Sequence, residues 1–172
     1  MSFFILETIR RAIAPQHKIG CSALLWWRLV RSLRQRGNAG TRESGAFLLG
    51  TFENGRRRIT DFVLYDNLDP LCLDTGIVRF DGRFFSDLWK ICKQSGLSVV
   101  GDIHVHPAGC GQSASDKNHP MISTKGHIAM ILPNFAKGRQ KRSMIGIYVY
   151  RGDKKWANIS DRDRSKFFSI GL

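Results

Sequence analysis

GDIHVHPAGCGQSASD, residues 101–116, places two histidines one residue apart at the end of an apolar run. The lead-in from Leu97 to Gly101 is short and β-branched, the composition of a buried strand. Side chains alternate faces along a strand, so His104 and His106 point the same way. Pro107 cannot donate to a ladder and ends the strand. Gly109 and Gly111 then let the chain fold back, which carries Ser113 and Asp116 towards the histidines. Two imidazoles and a carboxylate, with a fourth tetrahedral position left for water, make the donor set of a catalytic zinc.

The rest of the 172 residues sets the frame for that cluster. The length suits one domain spanning residues 1–172. A domain of this size buries roughly 70% of its unfolded surface and needs no disulfide staples. The four cysteines, at positions 21, 72, 92 and 110, form no CxxC pair, the usage of reduced thiols in a cytoplasmic protein. The start, MSFFILETIRRAIAP, is too short in apolar residues and too charged for a signal peptide or a membrane span. A soluble cytoplasmic protein with no membrane contact is the expectation. Lys and Arg number 27 against 14 Asp and Glu, a net charge of +13 and a pI near 10.2. Such a surface attracts nucleic acid, anionic lipid or an acidic protein, or serves only as a solvated face.

Taken in order, residues 2–14 read as an amphipathic helix with Phe3, Leu6, Ile9 and Ile13 on one side, docked on the core in preference to a contact for a partner or a membrane surface. His17 to Cys21 reads as a brief edge strand. Ser22 caps a helix to Arg36, with Gly37 closing it and Trp26 and Trp27 as packing residues. Glu43 opens a strand through Phe52, and Asn54-Gly55 turns it into a return strand from Arg58 to Tyr65. Residues 66–76 form a loop, Ile77 to Phe80 a short strand, and Asp81 caps a helix from Gly82 to Gln94 that Gly96 ends. After Asp116 come a loop, a strand from His127 to Pro133 and a basic loop at 134–143. Strands at Met144–Tyr150 and Lys154–Ile159 follow, then a short helix through Phe168 capped by Ser160. The fold class expected is α/β, a mixed and mostly antiparallel sheet flanked by helices.

His104-Val105-His106-Pro107 followed by Ser113-Ala114-Ser115-Asp116, with Glu43-Ser44-Gly45 leading an apolar strand upstream, resembles the JAB1/MPN/Mov34 (JAMM) metalloenzymes. The resemblance runs from about His17 to Ile159. The interval between His106 and Ser113 is one residue shorter than in the commonest form of the motif. The resemblance implies a JAB/MPN, cytidine-deaminase-like architecture with zinc on His104, His106 and Asp116. It implies Glu43 as general base and Ser113 as the residue that steadies the tetrahedral intermediate. On strand geometry alone, Asp102 either orients a histidine from behind or makes an unrelated solvent or loop contact. Cys110 reads as a small packing residue in preference to a ligand or a redox switch.

The function implied is that of a zinc isopeptidase or peptidase cleaving after the C-terminal glycine of a ubiquitin-like protein. The bacterial branch of the family accompanies ubiquitin-like modifiers with E1-like and E2-like enzymes, including antiphage defence operons. The loops at 66–80 and 134–143 lie where relatives grip the modifier. Alternatives are a sulfur-carrier or small-substrate hydrolase of the same family, a RadC-like nucleic-acid-associated protein and a metal-free scaffold. The dispersed basic residues and the intact ligand set weigh against the last two.

Overall fold

The structure, a computed structural model, describes residues 17–38 and 40–171. The amphipathic segment expected at 2–14 lies outside the described residues. The sheet has eight strands: β1 (Ile19–Cys21), β2 (Gly45–Glu53), β3 (Arg56–Leu64), β4 (Ser98–Val105), β5 (Ile128–Leu132), β6 (Gly146–Gly152), β7 (Lys155–Asn158) and β8 (Phe168–Ile170). Their order is β7-β6-β5-β4-β2-β3-β1-β8. Four of the seven pairings are antiparallel and three parallel, so the sheet is mixed as expected. The helices are α1 (Ala23–Arg36), α2 (Phe85–Ser95), α3 (Ala114–Asn118) and α4 (Asp161–Phe167).

Local chemistry accounts for most boundaries. Ser22 Oγ accepts from the Leu25 N–H at the start of α1. Asn54 and Gly55 both take positive φ, 51° and 74°, which a two-residue hairpin turn requires. Gly96 ends α2 in the left-handed region at φ 67°. Three expectations need correcting. The strand around His17–Cys21 is not at an edge: β1 lies between β3 and β8, parallel to both, because the chain after α4 adds an outer strand. Residues 77–80 form no strand, because the Val78 and Arg79 N–H groups bond to the Glu43 side chain and the Cys72 carbonyl. Trp26 is buried against Phe168, but Trp27 is 56% exposed with the Arg31 guanidinium over its ring.

Alternation along β2 splits the core between the two faces of the sheet. Ala46 and Leu48 pack with Leu25, Leu29 and Leu33 of α1. Phe47 and Leu49 pack with Tyr65, Leu68, Leu73 and Leu88, under α2. A smaller cluster of Ala129, Ile131 and Tyr148 takes in Cys110 and Trp156. Cross-strand partners share a face, so the pairings Gly45–His104–Ile131–Gly146 and Phe47–Asp102–Ala129–Tyr148 form two adjacent rows on one face. His104 sits in the middle of the first row, between the α2 cluster on one side and the Cys110 loop on the other.

Candidate metal centre

β4 supplies His104 and, one residue beyond its end, His106. Both are 9% exposed, and their Nε2 atoms lie 2.9 Å apart. The His106 N–H donates to the Leu132 carbonyl, which prolongs the β4–β5 pairing past Val105 and fixes the second histidine. The third group arrives on α3. Ser113 is its N-cap, and Ser113-Ala114-Ser115-Asp116 closes a capping box: Ser113 Oγ accepts from the Asp116 N–H at 3.1 Å, and Asp116 Oδ2 accepts from the Ser113 N–H at 2.7 Å. The box locks the Asp116 rotamer. Oδ1 then lies 3.4 Å from His104 Nε2 and Oδ2 3.3 Å from His106 Nε2. His104, His106 and Asp116 thus offer three ligand atoms within 4.8 Å of one another.

Two nitrogen donors and one carboxylate in a pocket of this depth fit a divalent metal ion of borderline softness. The electrostatics are those of a ligand cluster. Burial alone would push His104 towards its neutral form, but the Asp116 carboxylate, with Asp102 and Glu43 behind it, outweighs burial and raises its pKa. Burial would raise Asp116, yet hydrogen bonds from His104 and His106 hold its carboxyl far below the usual carboxylate range.

Glu43 precedes β2 and does not open it, since the strand starts at Gly45. Its N–H donates to the Gly76 carbonyl and its Oε2 accepts from the Val78 N–H at 3.2 Å. Those two bonds turn Oε1 inward, 4.0 Å from His106 Nε2. Glu43 is therefore beside the three ligand atoms and outside their group. Ser113 is on the rim with its oxygen engaged as the helix cap, which leaves its O–H to donate.

Asp102 orients neither ligand histidine. It is 2% exposed, with Oδ1 2.5 Å from His127 Nε2 and Oδ2 accepting from the Tyr65 hydroxyl at 3.0 Å. Tyr65 reaches it because Gly45 has no side chain: a Cβ there would stand 2.2 Å from the Tyr65 ring. Tyr65, Asp102 and His127 form a buried polar chain beneath the cluster, and burial first, then Asp102, pushes the Tyr65 phenol well up. The sequence reading singled out neither Tyr65 nor His127, which lie 37 and 25 residues from Asp102, and no local motif marks them. Cys110 is outside the ligand group and packs against the cluster of Ala129, Ile131 and Tyr148.

The cluster opens into a cavity of about 950 Å³. Ile77, Val78 and Phe80 line one side, and Gln112, Ser115 and Trp156 line another. No known family model matches the chain. Among solved structures, the solution structure of protein DSY2949 from Desulfitobacterium hafniense superposes with a TM-score of 0.65 at 16% identity. The match covers 88% of this chain and 92% of that one, and at this identity it is a likeness of fold. Among the described residues, no helix is long and apolar enough to cross a membrane.

Proposed function

We propose that the protein is a zinc-dependent hydrolase of the JAMM type that cleaves an amide bond after the terminal glycine of a ubiquitin-like protein in the cytoplasm. One observation carries this reading: a carboxylate, Glu43, is held 4.0 Å from a ligand histidine but outside the ligand set. A purely structural metal site has no use for such a group. Zinc bound by His104, His106 and Asp116 supplies Lewis acidity, lowering the pKa of a ligated water to about 7.

The chain's own residues do the rest. The Val78 N–H holds Glu43 by Oε2, which leaves Oε1 to take the proton of the attacking water and return it to the leaving amine. The Ser113 O–H donates a hydrogen bond to the oxygen that gains charge. The adjoining cavity accepts an extended chain, its apolar side from Ile77 to Phe80 taking the residues before the cleaved bond.

The basic loop flanks this site. The Phe135 N–H donates to the His106 carbonyl and the Asn134 N–H to the Ala108 carbonyl, so the loop starts at the metal cluster. Two arginines, Arg34 of α1 and Arg142 of the loop itself, brace it. Arg34 donates to the Ala136 and Gly138 carbonyls, and Arg142 to those of Ser165 and Phe168. These two arginines hold the loop's shape, while Lys137, Arg139 and Lys141 stay exposed to meet an acidic modifier or its E2-like partner.

Glu43→Gln tests the reading. It keeps an oxygen for the Val78 N–H, so fold and zinc content should be retained. Cleavage of a modifier fusion after its terminal glycine should fall 10²–10⁴-fold, about 3–5 kcal/mol of barrier. Wild-type cleavage by Glu43→Gln would refute the general-base role, and loss of zinc would make Glu43 a ligand.

A further inference from the structure

The two halves of the metal cluster come from different bodies. His104 and His106 belong to the sheet, whereas Asp116 is on the far side of a return loop, residues 107–113, with no regular structure. Something must set the distance between them, because a ligand placed 1 Å too far costs most of its coordination. The capping box fixes Asp116 within α3 but says nothing about where α3 sits.

The sheet answers through β6. The Tyr148 hydroxyl donates to the Cys110 carbonyl, mid-loop, at 2.9 Å. That one side-chain oxygen pins the loop to the strand three residues before Ser113. Tyr148 is 6% exposed and pairs across β5 in the row that contains Asp102, so its own position is set by the sheet. The neighbouring residue of that face, Gly146, ends the row that contains His104. A Cβ on Gly146 would lie 2.1 Å from the Cys110 carbonyl oxygen, so the loop rests directly on the strand there. Further along, the Trp156 indole N–H of β7 donates to the Lys117 carbonyl of α3 at 3.3 Å.

We infer that Tyr148 is a positioning residue for the metal centre: its hydroxyl, over the bare backbone of Gly146, seats the return loop so that Asp116 meets the two histidines. The inference rests on the metal-site reading above. Tyr148 is outside both the ligand group and the cavity lining, and its action runs through the backbone of Cys110. The Cys110 thiol has no part in it.

The test titrates the metal-stripped full chain with Co²⁺, whose visible bands report ligand number and geometry, and measures affinity by chelator competition. Tyr148→Phe removes one oxygen atom. It should bind cobalt about 10-fold more weakly, the usual cost of losing a supporting partner behind a ligand. Its bands should move towards those of Asp116→Asn. Gly146→Ala, which pushes the same carbonyl away, should shift the bands in the same direction. Two controls separate positioning from general loosening. Ile59→Val, a buried β3 change that lowers the melting temperature without touching the loop, should keep the wild-type spectrum. Cys110→Ser should keep it too, because the carbonyl is unchanged. A wild-type spectrum and affinity in Tyr148→Phe would overturn the inference while leaving the metal site standing. Equal binding by wild type and Asp116→Asn would overturn the metal site itself, and the inference with it.

Discussion

Replacing Asp102 by alanine should destabilise the protein severely while leaving His104, His106 and Asp116 in place. Both carboxylate oxygens are engaged, one with His127 Nε2 at 2.5 Å and the other with the Tyr65 hydroxyl at 3.0 Å, and all three residues are 5% exposed or less. Truncation orphans two buried donors, each at a cost of about 1–3 kcal/mol, and adds the void left by the carboxylate. Breaking a buried hydrogen-bonded charge this way costs about 3–5 kcal/mol. For a domain of this length each kcal/mol moves the melting temperature by about 2–4 °C, so Asp102→Ala should melt roughly 6–20 °C lower. Asp102→Asn keeps an acceptor and should lose less than half of that. Removing the chain as a unit, with Tyr65→Phe, Asp102→Leu and His127→Leu together, should cost less than Asp102→Ala alone, because no buried polar group is left without a partner. The assay is thermal melting beside zinc analysis at a temperature where every variant is folded. If Asp102→Ala melts within about 3 °C of wild type, the buried-chain argument is wrong. Zinc loss without a change in melting would restore Asp102 as a residue that orients a ligand.

Neutralising Lys137, Arg139 and Lys141 should slow association with a ubiquitin-like substrate at low salt and leave melting unchanged; unaltered association kinetics would mean these cations are only a solvated face. Arg142→Ala should do the reverse, lowering the melting temperature through its lost bonds to Ser165 and Phe168. Stability should also fall at alkaline pH. Burial pushes the Cys21 thiol up to about 12, and burial with Asp69 and Asp66 pushes Cys72 up to about 12, both from an ordinary 9.0. A folded-state pKa raised above the unfolded one gives stability that is complete below pH 9 and drains as pH rises towards 12, at about 1.4 kcal/mol per pH unit for each thiol. Urea unfolding at pH 8 and pH 10 checks this, and an unchanged slope in the Cys21→Ala, Cys72→Ala protein would remove the thiols as its cause.

The metal cluster was legible in the sequence because each of its constraints is local. Period-two alternation puts His104 and His106 on one face, and Ser113 and Asp116 stand at the spacing of a capping box, a helix start that the sequence reading took for loop. What was not legible depends on register. Glu43 reaches His106 because the Gly76 carbonyl and the Val78 N–H hold it, whereas the sequence reads as loop up to Gly76 and as strand from Ile77. Asp102 has the strand phase of a residue that orients a ligand, and only the arrival of Tyr65 and His127 shows that its oxygens are already taken. β8 was hidden for a similar reason: Phe168-Ser169-Ile170 is three residues long, and its strand identity comes from β1 beside it.

The charge of the whole and the charge of the site have opposite signs, and that opposition orders the molecule. A net charge of +13 would repel a divalent cation from a featureless surface. Around the cluster the carboxylates of Asp116, Asp102 and Glu43 set the local field instead, strongly enough to raise His104 against the penalty of burial. At 0.15 M salt the Debye length is about 8 Å, so distant exposed cations are screened from this pocket while the nearby carboxylates are not. The same screening length lets Lys137, Arg139 and Lys141 present a positive face without opposing a cation at the candidate site beside them. The His106 carbonyl that anchors Phe135 therefore joins two regions of opposite charge across one short stretch of backbone. On the function proposed, an acidic partner drawn to the loop would be delivered to the rim of the candidate metal cluster, and electrostatic steering of this kind acts on the rate of encounter more than on the affinity.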